Sequence, residues 1–191
     1  KRDLKKYILG KYPKNYGEAL FYLHQYYAFF NKKENAILGD KNPSNSLYLN
    51  QIIKIFPNAK FIVLVRNPID NVFSFINVNF DSNETTVLAH RWKFYNDEIL
   101  KEKEVNPTNF HEVHFEKLIE NTTDVLTNIS TFLSIDNSFN LDKVEKGENS
   151  WQVNLGEKIT SNHLNKGLKG LSDKEQKRVI SICSNTANLL N

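Results

Sequence analysis

Two spacings of apolar residues run along this chain: helical stretches with apolar residues every three or four positions, and one short continuous apolar run. The run is Phe61-Ile62-Val63-Leu64-Val65. It is β-branched and strand-length, as expected of a strand buried on both faces in a parallel sheet covered by helices. Helices are predicted from about Asp3 to Leu9 and from Tyr16 to Phe30, the second with Leu20, Leu23, Tyr27 and Phe30 at helical spacing. A short strand is predicted at 36–38. Ser44 or Asn45 is expected to cap a helix that carries Leu47, Leu49, Ile52, Ile53 and Phe56 inward and stops at Pro57. Residues 36–65 thus read as a parallel strand–helix–strand unit.

After the apolar run, Asn67 suits an N-cap, Pro68 a first helical position and Asp70 the positive end of the helix dipole. That helix is expected to reach about Phe80, and a second runs from Thr86 to about Lys103 with Trp92 on its apolar face. A strand over Phe110 to Phe115 and a helix over Asp124 to Leu133 follow. From Ser134 to Leu168 the pattern fades into a polar stretch of a length that is uncommon without a function. Ser172 and Glu175 form a capping box for a last helix carrying Val179, Ile180, Ile182, Cys183 and Ala187 inward.

These elements predict an α/β fold: three layers, with a central, mostly parallel sheet covered by helices. At 191 residues the chain suits one domain spanning 1–191. The formal charge of +3 is compatible with an anionic ligand but is no footprint of nucleic acid, and no nucleic-acid partner is expected. Cys183 is the lone cysteine, which excludes an internal disulfide and suits a small buried hydrophobe. No apolar run reaches membrane-spanning length and no signal peptide is legible. No integral membrane segment is therefore expected; these features do not settle the compartment, a reducing one is tolerated, and a cytoplasmic location is the expectation.

The chemistry gathers at the carboxyl end of the apolar run. Open α/β sheets keep their ligands in the crevice beyond the strand ends. A guanidinium at Arg66 suits a phosphate bidentately, and the Ser74 hydroxyl can add a bond to the same anion; a surface arginine and an ordinary helix serine fit the spacing equally well. Asp70 can also pair with Arg66 and stiffen the turn. Lys41, at the end of the 36–38 strand, is expected on the same sheet edge as Arg66, so that two cations meet one polyanion. An exposed turn lysine is the plainer reading. Asp40 suits a general base, a partner for Lys41 or a turn cap. His24 sits in a helix, where core or surface packing is the commoner role. No carboxylate cluster has metal-ligand spacing, so no metal is expected.

The string Gly39-Asp40-Lys41-Asn42-Pro43-Ser44-Asn45, followed by Phe56-Pro57-Asn58-Ala59-Lys60 and on through Arg66-Asn67-Pro68-Ile69-Asp70 to Ser74, resembles the sulfotransferase superfamily. More narrowly, it resembles the bacterial branch that shares features with carbohydrate and tyrosylprotein sulfotransferases. His114-Phe115-Glu116-Lys117-Leu118 resembles a later family stretch, and Phe132-Leu133-Ser134-Ile135 a family ending; the segment 165–172 resembles loosely the basic loop before the terminal helix. The resemblance implies a P-loop-NTPase-like fold and transfer of a sulfuryl group from 3′-phosphoadenosine 5′-phosphosulfate (PAPS) to a hydroxyl or amine, without a metal. It implies that Arg66 and Ser74 bind the 3′-phosphate, with Lys166 and Lys169 as further donor-binding candidates. Lys41 would lie near the transferring group, where charge grows on the leaving phosphate.

Two features depart from the family pattern. The Ser/Thr/Gly-rich loop that cradles the 5′-phosphosulfate is not found in residues 1–35, so the chain is expected to be N-terminally incomplete and a poor catalyst alone. No histidine follows the lysine motif; the resemblance to the glycan and tyrosine branches implies a Glu on the helix after the missing loop, upstream of these residues, and Glu18, His24, Asp40 and His90 are the other candidates for the base. The acceptor, a small molecule, glycan or peptide, is expected to meet the stretches around 81–90 and 136–165, with Tyr22, Tyr26, Trp92 and Trp151 as stacking candidates. Two other readings are weighed against the enzyme. A nucleotide kinase would need a phosphate loop of the GxxxxGK[ST] type, which is not visible. A non-catalytic module that keeps only a 3′-phosphoadenosine half-site is the alternative.

Overall fold

The computed structural model describes residues 4–30, 37–76, 78, 82–137 and 161–190. Expectations for Asp3, Ala36, Phe80, Asp81 and Trp151, and for most of the polar stretch, fall outside them. The chain forms two compact units, Lys1–Ala59 and Lys60–Asn191.

In the first unit, α1 (Leu4–Leu9) and α2 (Tyr16–Phe30) pack through Tyr7 and Tyr26, whose ring centroids are 5.0 Å apart. The start of α2 is capped by Asn15, whose Oδ1 accepts from the Glu18 N–H at 2.9 Å, while Glu18 Oε2 accepts from the Lys14 N–H at 2.8 Å. A Cβ on Gly17 would sit 2.8 Å from the Ile55 side chain, so only glycine lets this turn approach α3 (Leu49–Ile55) so closely.

Two expectations for this unit are corrected. Ile37 and Leu38 form no strand, and Ile37 is exposed; three apolar residues make a strand only where a neighbour completes the ladder. The sheet among the described residues has two strands, so the strand–helix–strand unit over 36–65 is not formed. The cap of the next helix is Asn42, not Ser44 or Asn45. Its Oδ1 accepts from the Ser44 N–H at 3.0 Å and Pro43 opens a 3₁₀ turn, Pro43–Tyr48, that leads into α3. Proline is pre-set for a first helical position, which makes the residue before it the cap.

The second unit is built on β1 (Phe61–Val65) and β2 (Phe110–His114), paired in parallel with Phe61 opposite Phe110 and Val65 opposite His114. The Phe61 and Phe110 rings stack at 4.9 Å, a contact worth about 1 kcal/mol beyond its buried area. A parallel pair needs a long crossover, here α4 (Pro68–Ile76) and α5 (Thr85–Val105). β1 is not buried on both faces as its composition predicts: Val63 and Val65 are buried, whereas Ile62 is 44% and Leu64 57% exposed. An unbroken apolar run records that both faces are greasy, not that both are covered.

After β2, which ends at His114 rather than Phe115, a short helix, α6 (Phe115–Glu120), precedes α7 (Thr122–Leu133). The polar stretch contains a further short helix, α8 (Lys166–Gly170), ahead of α9 (Asp173–Leu189). The core lies where α4, α5 and α9 meet, around Val72, Leu88, Ala89, Trp92, Val179 and Cys183. Ile180, expected inward, is half exposed. The Cys183 Sγ lies 3.4 Å from the Ala89 carbonyl, and burial pushes its thiol up to about 11, in keeping with an inert packing role. Thr85 with Glu175, Arg178 with Thr86, and Thr186 with Asp97 tie α5 to α9 along their length, so the two helices run in the same direction.

The capping box forms as predicted. Glu175 Oε2 accepts from the Ser172 hydroxyl at 2.6 Å and from its N–H at 2.9 Å, and Oε1 accepts from the Thr85 hydroxyl at 3.1 Å. These bonds, chiefly those from Ser172, lower the Glu175 pKa. A carboxyl lowered on folding stabilises above its unfolded pKa of about 4.3, and that contribution is lost as pH falls through the lower folded value. The thermal midpoint of Glu175→Ala is therefore expected to lie below that of the native chain at neutral pH and to converge on it in acid, measured by melting at a series of pH values.

Candidate active site

The turn after β1 is held from three sides. The Trp92 indole N–H donates to the Arg66 carbonyl at 3.1 Å, and the Glu116 carboxylate accepts from the Asn67 N–H at 2.9 Å. The Arg66 guanidinium carbon lies 4.6 Å from the centre of the Phe115 ring, a cation–π placement that fixes the plane of the fork. Trp92 comes from α5 and Phe115 and Glu116 from α6, so residues far apart in sequence meet at one strand end. Asn67 caps α4 as predicted: its Oδ1 accepts from the Ile69 N–H at 2.9 Å, and its carbonyl takes the first helical bond from the Asn71 N–H. Trp92 is 5% exposed, which makes it packing rather than a stacking surface for an acceptor.

Asp70, on the first turn of α4, is 4% exposed. Its Oδ2 accepts from the Asn165 N–H at 2.8 Å and its Oδ1 from the Gly167 N–H at 2.7 Å. These bonds bring the 165–170 segment against α4. A Cβ on Gly167 would lie 2.5 Å from the Ile69 carbonyl oxygen, and one on Gly170 would lie 2.0 Å from the Phe73 ring. The two glycines, one helical turn apart, form the face of α8 that touches α4. Lys166 and Lys169, also one turn apart, are both exposed. Ser74 is exposed and lies one turn beyond Asp70 on the same face of α4.

Of the residues singled out from sequence, the second unit therefore gathers Arg66, Ser74, Lys166 and Lys169 around one helix and its approach. Lys41 and Asp40 belong to the first unit and are both exposed. Asp40 Oδ2 accepts from the Asn45 side-chain amide at 2.8 Å, the turn-closing use among those open to it. Glu18 is engaged at the start of α2, His24 is half-buried within that helix, and His90 is exposed on α5. Among the described residues no group of three or more His, Cys, Asp or Glu could hold a metal ion, and no helix is long and apolar enough to cross a membrane. The stretch around 81–90 borders an open cleft of about 230 Å³ lined by Glu84, Thr85, Thr86, Lys174, Glu175 and Arg178.

Sequence reasoning placed Arg66 but not its supports. Asp70 was legible as a helix-start carboxylate or a partner for Arg66, not as the acceptor of the Asn165 and Gly167 N–H groups, and Glu116 and Phe115 as motif and strand-end residues, not as supports of the Arg66 turn. The spacing of Gly167 and Gly170 was the one local sign of a close helix contact.

A strand ending in a held arginine, a capped helix and a basic segment fastened beside it belong to an α/β protein of the P-loop-like class. The family model of the sulfotransferase family matches residues 13–139, and the chain belongs to that family. It is 29% identical over 104 residues to the omega-hydroxy-beta-dihydromenaquinone-9 sulfotransferases of Mycobacterium bovis and Mycobacterium tuberculosis. That match covers 48% of this chain and 26% of each relative, so the chain spans only part of their length. In fold it is similar to the sulfotransferase domain from the curacin biosynthetic pathway, with a TM-score of 0.59 and 19% identity over 95% of this chain and 77% of that one. The P-loop-like α/β fold expected from the sequence is thus the observed one.

Proposed function

We propose that this protein transfers a sulfuryl group from PAPS to a hydroxyl or amine, and that both units act in one catalytic domain. The family match runs across the junction between the units at Ala59 and Lys60, which supports the second point. The observation that carries the reading is the Arg66 turn: a guanidinium held at a strand's carboxyl end, ahead of the helix that carries Ser74 and against which the segment with Lys166 and Lys169 is fastened. In this reading Arg66 and Ser74 take the donor's 3′-phosphate, and Lys166 and Lys169 add positive charge beside it. The acceptor oxygen or nitrogen attacks sulfur and loses its proton to a base. The bond from sulfur to the bridging oxygen breaks, and adenosine 3′,5′-bisphosphate leaves. Lys41 stabilises the charge that grows on that oxygen. A hydroxyl acceptor is favoured, in line with the omega-hydroxy group in the names of the mycobacterial relatives.

Calorimetry with adenosine 3′,5′-bisphosphate, followed by transfer from labelled PAPS to a panel of hydroxyl and amine acceptors, tests this. Binding with transfer is the expected result. Binding with no transfer in the full-length protein would leave the nucleotide-binding module, and no binding would overturn both. Lys41→Ala is expected to slow transfer by roughly 10²- to 10³-fold, as for other lost transition-state donors, while bisphosphate affinity holds. A variant that transfers at the native rate would remove Lys41 from the mechanism.

A further inference from the structure

A carboxylate as buried as Asp70 is costly unless each oxygen is bonded. Both of its assigned bonds go to one short segment, the backbone at Asn165 and Gly167. Asn165 sits in the left-handed region, with φ 57° and ψ 22°, which helps to bring its N–H and that of Gly167 to the same carboxylate. The helix that follows, α8, has five residues and is too short to hold itself together in water. Its position is therefore set by contacts. Asp70 holds its start, the two glycines hold its side, and Gln176 Nε2 holds its end by donating to the Leu168 and Leu171 carbonyls at 3.1 and 2.8 Å. What this arrangement fixes in place is the pair Lys166 and Lys169, alongside the helix that carries Ser74.

We propose that Asp70 is a positioning residue for nucleotide binding: its buried carboxylate latches the 165–170 segment to α4 and so sets Lys166 and Lys169 beside the phosphate held by Arg66 and Ser74. The proposal rests on the donor-site reading above. It gives a buried acid a role that is neither proton transfer nor pairing with the arginine.

Asp70→Asn isolates the latch, because a carboxamide has one accepting oxygen and turns an N–H donor toward one of the two backbone donors. The variant is expected to weaken adenosine 3′,5′-bisphosphate binding about tenfold. In a Lys166→Ala, Lys169→Ala background the same change is expected to cost less than about twofold, since its effect runs through those lysines. Equal losses in both backgrounds, or none in either, would overturn the proposal. Gly167→Ala guards against misfolding of the first variant: it forces α8 away while leaving the Asp70 charge intact, and the same background dependence is expected. Hydrogen exchange reads the latch without nucleotide. Faster exchange of the 165 and 167 amides in Asp70→Asn is expected, and unchanged exchange would refute the latch itself. If the native chain binds no bisphosphate while this exchange effect is present, the donor-site reading has failed and the latch has not.

Discussion

Arg66→Ala is expected to abolish measurable binding of adenosine 3′,5′-bisphosphate, a loss of roughly 10²- to 10³-fold. The size follows from two charge-assisted hydrogen bonds at about 1.5–3 kcal/mol each, partly offset by water entering the site. Arg66→Lys is expected to recover little of this. A lysine keeps the charge but presents no planar fork, and it gives up the guanidinium's stacked placement 4.6 Å from the centre of the Phe115 ring. Calorimetry on the three proteins at one salt concentration makes the comparison, with melting curves to show that each is folded. Because the Trp92 bond is to the Arg66 carbonyl rather than to its side chain, the turn should survive the substitution. Native affinity in Arg66→Ala would remove the residue from the site and leave the donor reading without its anchor.

The largest effect on stability is expected from Trp92→Ala, at about 3–5 kcal/mol for a buried aromatic. That is a large share of the 5–15 kcal/mol that typically holds a domain together. Trp92 fills the junction of α4, α5 and α9 and also bonds the end of β1, so the substitution opens a cavity and leaves the Arg66 carbonyl without the indole donor. Trp92→Phe separates the two parts. It keeps most of the packing and loses the bond, with an expected cost of about 1–2 kcal/mol. Denaturant unfolding of both variants, with the slope compared to confirm that the same surface is exposed, measures the split. A phenylalanine variant as unstable as the alanine variant would show that the indole bond, not the ring's volume, holds this corner.

What local sequence could report, it reported well. Asn67 before Pro68 capped α4, and Ser172 with Glu175 built the capping box, because caps depend on neighbours three residues away. β1, α2 and α9 were legible from apolar spacing, and the family from the lysine and arginine strings. The misses share a cause. Ile37 and Leu38 looked like a strand, but a strand needs a partner that local sequence does not name. Ile62 and Leu64 looked buried, but coverage is decided by what packs on them. α8 was hidden in a polar stretch because its helical state comes from Asp70, Gln176 and two close glycine contacts rather than from its own composition.

By itself, then, the sequence determined the class of fold, the family and the arginine at the end of β1, since these rest on periodicity, capping and contiguous motifs. Only the tertiary structure decided what orients that arginine and what Asp70 does. Glu116, Phe115 and Trp92 reach the turn, and Asn165 and Gly167 reach Asp70, across dozens of residues. Contacts of that range exist only once the chain has folded, because no spacing rule along the sequence links their partners.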